Sequence, residues 1–347
     1  MIKVGIVGGT GYTGVELLRI FATHPQARVE AVTSRKEDGM PVSEMYPSLR
    51  GRVDVAFSSP DKARLTDCDV VFFATPHGVA MAQAPELVAA GVKVIDLAAD
   101  FRMQDVAAFE KWYKLPHSCT DLLKEAAYGL PELNREAIRK ARVVGNPGCY
   151  PTGVIALLRP LVTKGLLPAS WPVVVSAVSG YSGGGKAMIA DYEDAATASS
   201  AFRPYGLTLA HKHVPEMTRY SGLTHPPLFA PAVANAYRGM IVEVPLQLRA
   251  MPGTPSLADI HDALASAYGQ SPIVTVAALE DSAAMSGVPL EYVGATDRLA
   301  LFLFGNPATG QARLVAALDN LGKGAAGAAV QNLNILAGLP ETAGLRL

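Results

Sequence analysis

Charge of one sign is missing from this chain. Thirty basic side chains nearly balance 31 acidic ones, so no net field exists to gather DNA, RNA or anionic lipid. Long apolar runs are missing too, since none reaches the roughly 18–20 residues that cross a bilayer. The opening residues, MIKVGIVGG, already read as a buried strand, so no signal or transit peptide is expected. Cysteine is scarce. Cys68, Cys119 and Cys149 cannot all pair, and none has metal-ligand spacing, which argues against a disulfide scaffold or a thiolate metal site. A reducing cytoplasm is the expected compartment. There is no internal repeat and no low-complexity tract. What remains is a compact globular composition, 50% hydrophobic and 18% charged over 347 residues, enough for two domains or one large α/β unit.

The N-terminal part reads as a nucleotide site. The apolar strand IKVGIV (2–7) runs into GGTGYTGVELLRIF. Gly9, Gly11 and Gly14 fit G-x-G-x-x-G, with Gly8 as a further small residue. Val15, Leu17, Leu18 and Phe21 then have the spacing of a helix packed on a sheet. Glycines in that strand-to-helix turn let backbone approach a pyrophosphate, and the helix start supplies N–H groups and positive partial charge. Gly8, Thr10, Gly11, Tyr12, Thr13 and Gly14 are therefore the expected cofactor contacts. The second strand, RVEAVTSR, ends in Ser34, Arg35 and Lys36 where an NAD site usually places an acidic residue. A guanidinium suits a 2′-phosphate, so NADP is the preferred cofactor, although Glu37 follows directly.

Strands and helices continue to alternate. DVVFFATPHG (69–78) is a strand and loop, MAQAPELVAAG a helix closed by Gly91, VKVIDLAADFR (92–102) a strand. That order predicts a doubly wound parallel sheet whose ligands bind beyond the strand C-termini. Pro76 and His77 fall at one such end, where they could wall the nicotinamide. Asp100 and Arg102 fall at another, where Arg102 could grip an anionic substrate or the two could pair locally.

Cysteine 149 stands apart from the other two. In VVGNPGCYPTGVIALL (143–158), a short strand and a Pro-Gly turn lead to Cys149, and helical spacing begins at Pro151. A cysteine at or just before a helix start is biased toward the thiolate by the dipole and the unbonded N–H groups. An ordinary thiol is only about 3% ionised at pH 7, while a pKa two units lower ionises roughly three quarters of it. A thiol nucleophile beside NADP points to interconversion of an aldehyde with an acyl phosphate or acid, through a thioester or thiohemiacetal.

VVGNPGCYPTGVIALLRP resembles the signature of the N-acetyl-gamma-glutamyl-phosphate reductase family, the NADP-dependent third step of arginine biosynthesis. The likeness extends through GIVGGTGYTGVELLR, DLAADFR, YGLPELNR, SGYSGGGK, AHKHVPE and DNLGKGAAGAAVQNLN. Aspartate-semialdehyde dehydrogenase is a cousin, but Pro147 and Gly148 before the cysteine fit the glutamyl enzyme. The resemblance implies that Cys149 is the nucleophile and that His211, with His213 in reserve, is the acid/base. It implies that Tyr205, Arg102 and Glu216 lie near substrate, and that Ser179, Gly180, Ser182, Gly183 and Asn320 lie near the cofactor. From the residues alone, the two histidines fit metal binding or a surface role equally well, and Asn320 fits an N-cap.

The expected architecture is a Rossmann-type domain over 1–147 and an α+β catalytic and dimerisation domain over 148–318, with strands in PVVVSAVSG, GMIVEVPLQL, IVTVAAL and LALFLFG. A helix over 319–336 would return to the first domain. The implied partners are an acyl phosphate, inorganic phosphate and further copies of the chain, as a dimer or tetramer. Two alternatives stay open: a reductase for aspartyl or aminoadipyl phosphate, and a non-catalytic NADP-binding redox sensor. No resolving cysteine lies near Cys149 along the chain to favour the sensor.

Overall fold

A computed structural model describes residues 1–194 and 200–347. The chain divides into two compact units, one made of Met1–Gly148 with Ala325–Arg346, the other of Cys149–Gly324.

The first unit is built on β1 (Ile2–Val7), β2 (Ala27–Thr33), β3 (Phe57–Ser58), β4 (Val70–Phe73), β5 (Lys93–Asp96), β6 (Ala127–Tyr128) and β7 (Val143–Gly145). Their order is β3-β2-β1-β4-β5-β7-β6, and every pairing is parallel. The central strands are apolar on both faces, as sheets covered by helices on both sides require. Leu17, Leu18 and Phe21 of the helix Tyr12–Phe21 pack into a core with Val4, Ile6, Phe72 and Ile95, and Ala329, Val330 and Leu333 of the helix Gly327–Leu336 join it. A second core lies around Val71, Phe73, Val94, Phe101 and Phe109. The fold is the doubly wound sheet predicted by the alternation, with the C-terminal helix inside this unit.

The structure departs from expectation at β5. The strand was expected to continue to residue 102, but it stops at Asp96 because the Asp96 carboxylate accepts the N–H groups of Ala98 and Phe101. Those donors are then lost to the ladder, and the chain turns off the sheet.

The second unit carries a mixed sheet of β8 (Val174–Gly180), β9 (Phe202–Pro204), β10 (Leu228–Ala234), β11 (Met240–Gln247), β12 (Val274–Val276), β13 (Leu299–Asn306) and β14 (Gln311–Leu318). The order is β12-β13-β14-β11-β8-β10-β9. β8 and β10 run parallel, while β14 pairs antiparallel with both β13 and β11. Val154, Leu157, Leu158 and Leu161 of the helix Cys149–Thr163 pack on Val242, Val244 and Leu314.

The expected helix over 319–336 is replaced by three pieces. The Asp319 carboxylate accepts the N–H groups of Leu321 and Gly322, a wide π-type turn covers Gly322–Ala326, and a regular helix runs over Gly327–Leu336. No helix of the described residues is long and apolar enough to cross a membrane.

Candidate active site

In the first unit, the turn after β1 has the shape that a pyrophosphate needs. Gly8 has φ +88°, and a Cβ there would lie 2.5 Å from the Ala74 carbonyl oxygen. A Cβ on Gly14 would lie 2.4 Å from the Gly8 oxygen. These two glycines are demanded by the turn itself. Gly11 differs: a Cβ there would meet only ordinary contacts, the nearest at 3.5 Å. Its position opens the helix Tyr12–Phe21 without any side-chain cap. The helix start is thus left for an anionic ligand, and the residues fit a dinucleotide phosphate.

Thr10, Tyr12 and Thr13 are half-buried around this turn. Ser34 is buried, its hydroxyl contacts the Glu37 carboxylate, and Arg35 and Lys36 are exposed. Glu37 is therefore engaged by Ser34 rather than standing alone. Across the turn lies the loop after β4. Pro76 is exposed, His77 packs edge-on against Tyr113 at 4.6 Å, and the Thr75 hydroxyl is shut from solvent with no hydrogen-bond partner. Reasoning from sequence passed over Thr75, because nothing local distinguishes a threonine whose hydroxyl awaits a ligand. A buried unsatisfied hydroxyl beside an open glycine cradle is a second fit to a bound group.

Asp100 holds this loop. Its two carboxylate oxygens accept the Gly78 N–H at 3.0 and 2.9 Å, and Oδ2 also accepts the Met81 N–H at 3.1 Å. It therefore caps the helix Val79–Ala89 from 22 residues away, where Gly78 itself offers no side-chain cap. Burial raises the Asp100 carboxyl, and the backbone N–H bonds oppose that shift. Burial also raises Asp96, with the Asp100 charge adding to it. Arg102 is 7% exposed. Its Nε donates to the Asn146 carbonyl at 2.6 Å and its Nη2 to the Leu97 carbonyl at 2.9 Å, so part of its donor set is spent on backbone.

In the second unit, Cys149 is the first residue of the helix Cys149–Thr163. Close packing surrounds it, since a Cβ on Gly324 would approach the Cys149 Cβ to 2.9 Å. The next residue, Tyr150, is 3% exposed and joins three segments. Its hydroxyl donates to Ser179 Oγ at 2.9 Å and accepts from the Tyr205 hydroxyl at 3.1 Å. Its ring stands edge-on to His211 at 6.1 Å and is near His213 at 6.0 Å. Burial pushes the Tyr205 hydroxyl up to about 12, and the charge of Cys149 acts in the same direction. Cys149 thus lies within electrostatic reach of Tyr205.

His211 is packed among Tyr150, Tyr205, His213 and Phe229. Burial, with the neighbouring Lys212 charge, lowers its pKa to about 4. His213 precedes the helix Val214–Ser221, and Glu216 in the first turn of that helix is 1% exposed.

The loop after β8 is fixed from the far end of the unit. Asn320 Nδ2 donates to Ser182 Oγ at 2.9 Å, and Asn320 Oδ1 accepts the Gly239 N–H at 2.9 Å. Asn320 is therefore a clamp on this loop, while Asp319 does the capping. Asp319 is itself held by a two-point pair with Arg238, at 2.5 and 3.1 Å. Gly180 leaves no room for a side chain, as a Cβ would lie 2.7 Å from the Ala236 oxygen and the Arg238 nitrogen. Gly183 is exposed, and a Cβ there would lie 3.6 Å from Ser179 Oγ. Arg238 and Asp319 carry no motif of their own, and only the fold reveals their part in the loop.

The doubly wound sheet with its glycine turn is that of a dinucleotide-dependent oxidoreductase, and in the other unit a cysteine opens a helix whose next residue, Tyr150, packs against His211 and His213. Comparison with known proteins agrees with that class. A family described as "Semialdehyde dehydrogenase, NAD binding domain" matches residues 3–141, and one described as "Semialdehyde dehydrogenase, dimerisation domain" matches residues 149–320. Aspartate semialdehyde dehydrogenase II from Vibrio cholerae shares the fold, with a TM-score of 0.69 over 97% of this chain and 98% of that one at 17% identity. The Candida albicans aspartate semialdehyde dehydrogenase, solved with NADP, has a TM-score of 0.64, also at 17% identity, covering 97% of this chain and 98% of its own. The particular family is set by nearer relatives. N-acetyl-gamma-glutamyl-phosphate reductase of Herminiimonas arsenicoxydans is 55% identical over 99% of this chain and 98% of its own length. That of Bordetella pertussis is 49% identical over 99% and 96%. The chain belongs to the N-acetyl-gamma-glutamyl-phosphate reductase family.

Proposed function

We propose that the protein is a cytoplasmic homo-oligomeric enzyme that reduces N-acetyl-gamma-glutamyl phosphate to N-acetylglutamate 5-semialdehyde, with NADPH as reductant and release of phosphate. One observation carries the reading: Cys149 is the first residue of a 15-residue helix, within charge reach of Tyr205. Relatives of that name at about half identity over nearly the whole chain support the substrate. The dimerisation-domain match supports self-association. Arg35 and Lys36 at the end of the second strand support NADP over NAD.

The Cys149 sulfur attacks the acyl carbon, the C–O bond to phosphate breaks, and a thioester forms. A bound nicotinamide supplies the hydride. Hydride addition at the thioester carbon leaves a thiohemiacetal on Cys149, and breakage of its C–S bond returns the thiolate and frees the aldehyde. N–H groups at the helix start and donors from the histidine segment stabilise the negative oxygen, each good donor being worth about 3 kcal/mol.

The test runs the reaction backwards. Phosphate-dependent reduction of NADP is measured with N-acetylglutamate semialdehyde, aspartate semialdehyde and aminoadipate semialdehyde. The acetylated substrate is expected to turn over at least about a hundredfold better than the others. Preference for either of the other two, or turnover without phosphate, would refute the assignment.

A further inference from the structure

The Asp319 carboxylate is fully buried, and its partners come from three stretches of the second unit. Oδ2 accepts the Arg238 Nε–H at 2.5 Å and the Ala295 N–H at 2.6 Å. Oδ1 accepts from Arg238 Nη2 at 3.1 Å, from the Leu321 N–H at 2.8 Å and from the Gly322 N–H at 3.1 Å. Among the described residues, five hydrogen bonds thus converge on this one side chain, which saturates a carboxylate. Capping the adjacent turn needs only the two nearby N–H groups. The guanidinium fork and the Ala295 N–H go beyond that need. Ala295 even takes φ +60°, a left-handed conformation that a residue with a Cβ keeps only where its surroundings hold it.

What these bonds fix lies against Cys149. The main-chain carbonyl of Asp319 accepts the Gly324 N–H at 2.9 Å, so the side chain and the carbonyl of one residue together set the turn over 319–324. Gly324 is packed on the cysteine. A Cβ there would lie 2.9 Å from the Cys149 Cβ, 3.5 Å from its Cα and 3.0 Å from the Asp319 oxygen. The Cα–Cβ bond that aims the Cys149 sulfur therefore rests on turn backbone, with no room for a side chain between them. Asn320 sets the other side. It bonds Ser182 Oγ and the Gly239 N–H, and Ser179, at the end of the strand leading into that loop, accepts from the Tyr150 hydroxyl at 2.9 Å. The first two residues of the helix Cys149–Thr163 are thus each seated by a segment anchored at 319–320.

We propose, building on the reading above, that Asp319 is a positioning residue for the thiol step: clamped by Arg238, its carboxylate holds the 319–324 turn so that Gly324 seats Cys149 for attack. Asp319 makes no bond to the sulfur and moves no proton. Its effect is geometric, and a misplacement of about 1 Å at a reacting atom can cost about a hundredfold in rate. The charge is needed as well as the shape. An amide in its place would turn an NH₂ group toward N–H donors in either flip, and the turn would have to shift. A side chain that merely stapled three loops together would stabilise the fold and leave the thiol where it is.

Three variants test this. Asp319→Asn removes the charge. Gly324→Ala crowds the Cys149 Cβ while leaving the carboxylate in place. Arg238→Lys keeps a positive charge but loses the two-point fork. Each is first shown to be folded by circular dichroism and thermal melting. The rate constant for iodoacetamide alkylation of Cys149 is then measured, together with kcat and KM. Asp319→Asn and Gly324→Ala are each expected to slow alkylation about tenfold and to lower kcat about a hundredfold, with KM for the acyl phosphate within about threefold. Arg238→Lys should slow alkylation about threefold. A purely structural residue would lower the melting temperature and leave the alkylation rate constant of the folded enzyme unchanged. That result in Asp319→Asn or Gly324→Ala would overturn the proposal. If Asp319→Asn does not fold, Gly324→Ala and Arg238→Lys decide, and a wild-type rate constant in either overturns it. Alkylation needs no acyl phosphate. Wild-type protein that reduces none would instead sink the functional reading, and the rate constants would still report on how Cys149 is seated.

Discussion

Two clusters in this molecule are assembled from nearly the same parts. In the first unit, Cys119 stands at the start of the helix Thr120–Glu125, and His117 lies two residues before it with Phe101 and Phe109 edge-on to its ring. In the second unit, Cys149 starts a helix, and His211 is enclosed by Tyr150, Tyr205 and Phe229. The outcomes diverge through what the parts face. His117 Nε2 is spent on the Asp100 carbonyl, and burial with the charges of Asp100 and Asp96 pushes the Cys119 thiol up to about 11. At that value the thiolate is negligible at neutral pH. Cys149 opens a longer helix, with the Tyr150 and Tyr205 hydroxyls within reach of its charge. A helix start alone does not make a thiolate: burial and nearby carboxylates keep Cys119 protonated.

The sharpest way to break this contrast is to exchange the sulfurs. Cys149→Ser is expected to lower turnover by about 10⁴-fold or more while dinucleotide binding persists. Cys119→Ser should leave kcat within about twofold, and iodoacetamide at neutral pH should label Cys149 well before Cys119. Mass mapping of the labelled residue decides it, and faster labelling of Cys119 would end the comparison.

The next effect tests whether the first cluster is structural. Asp100→Ala removes the acceptor of three backbone hydrogen bonds and should cost about 2–4 kcal/mol in urea unfolding. It should also weaken NADPH binding, because the freed Gly78 N–H loosens the loop that carries Thr75 and Pro76. Unchanged stability would show that the cap is idle.

A smaller change probes the second cluster. Tyr150→Phe keeps the ring but breaks the hydroxyl ladder from Tyr205 to Ser179. It should lower kcat by about tenfold with a stability loss of about 1 kcal/mol. Loss of stability with kcat intact would reduce the ladder to scaffolding.

The last effect is a pH dependence of stability. With a folded pKa of about 4 against 6.5, His211 binds fewer protons folded than unfolded between those values, so stability rises with pH across that window. Relative to His211→Gln, the wild-type Tm should therefore fall as the pH drops from about 6.5 toward 4. A parallel pair of Tm profiles would contradict the neutral, buried ring.

Much of this was legible before any fold was known, and the exceptions have causes. β10 reads LFAPAVA and β14 reads QARLVAAL. Pro231 inside the first and the alanines of the second hide both strands from propensity. In the fold, the Pro231 carbonyl accepts the Tyr205 N–H, so the proline's missing donor is tolerated beside short β9. The cap on Gly78, the clamp on Ser182 and the pair of Arg238 with Asp319 join residues from 22 to 138 positions apart. No local pattern could announce them.

The sequence by itself determined the parallel sheet, the glycine turn and the cysteine at a helix start, because strand period, turn chemistry and helix onset are local properties of a chain. Only the tertiary structure decided that the His211 ring is buried, that Cys119 is kept as a thiol and that Asp100 caps the helix Val79–Ala89. Those depend on burial and on charges brought close from distant positions, and a dielectric environment is made by the fold as a whole.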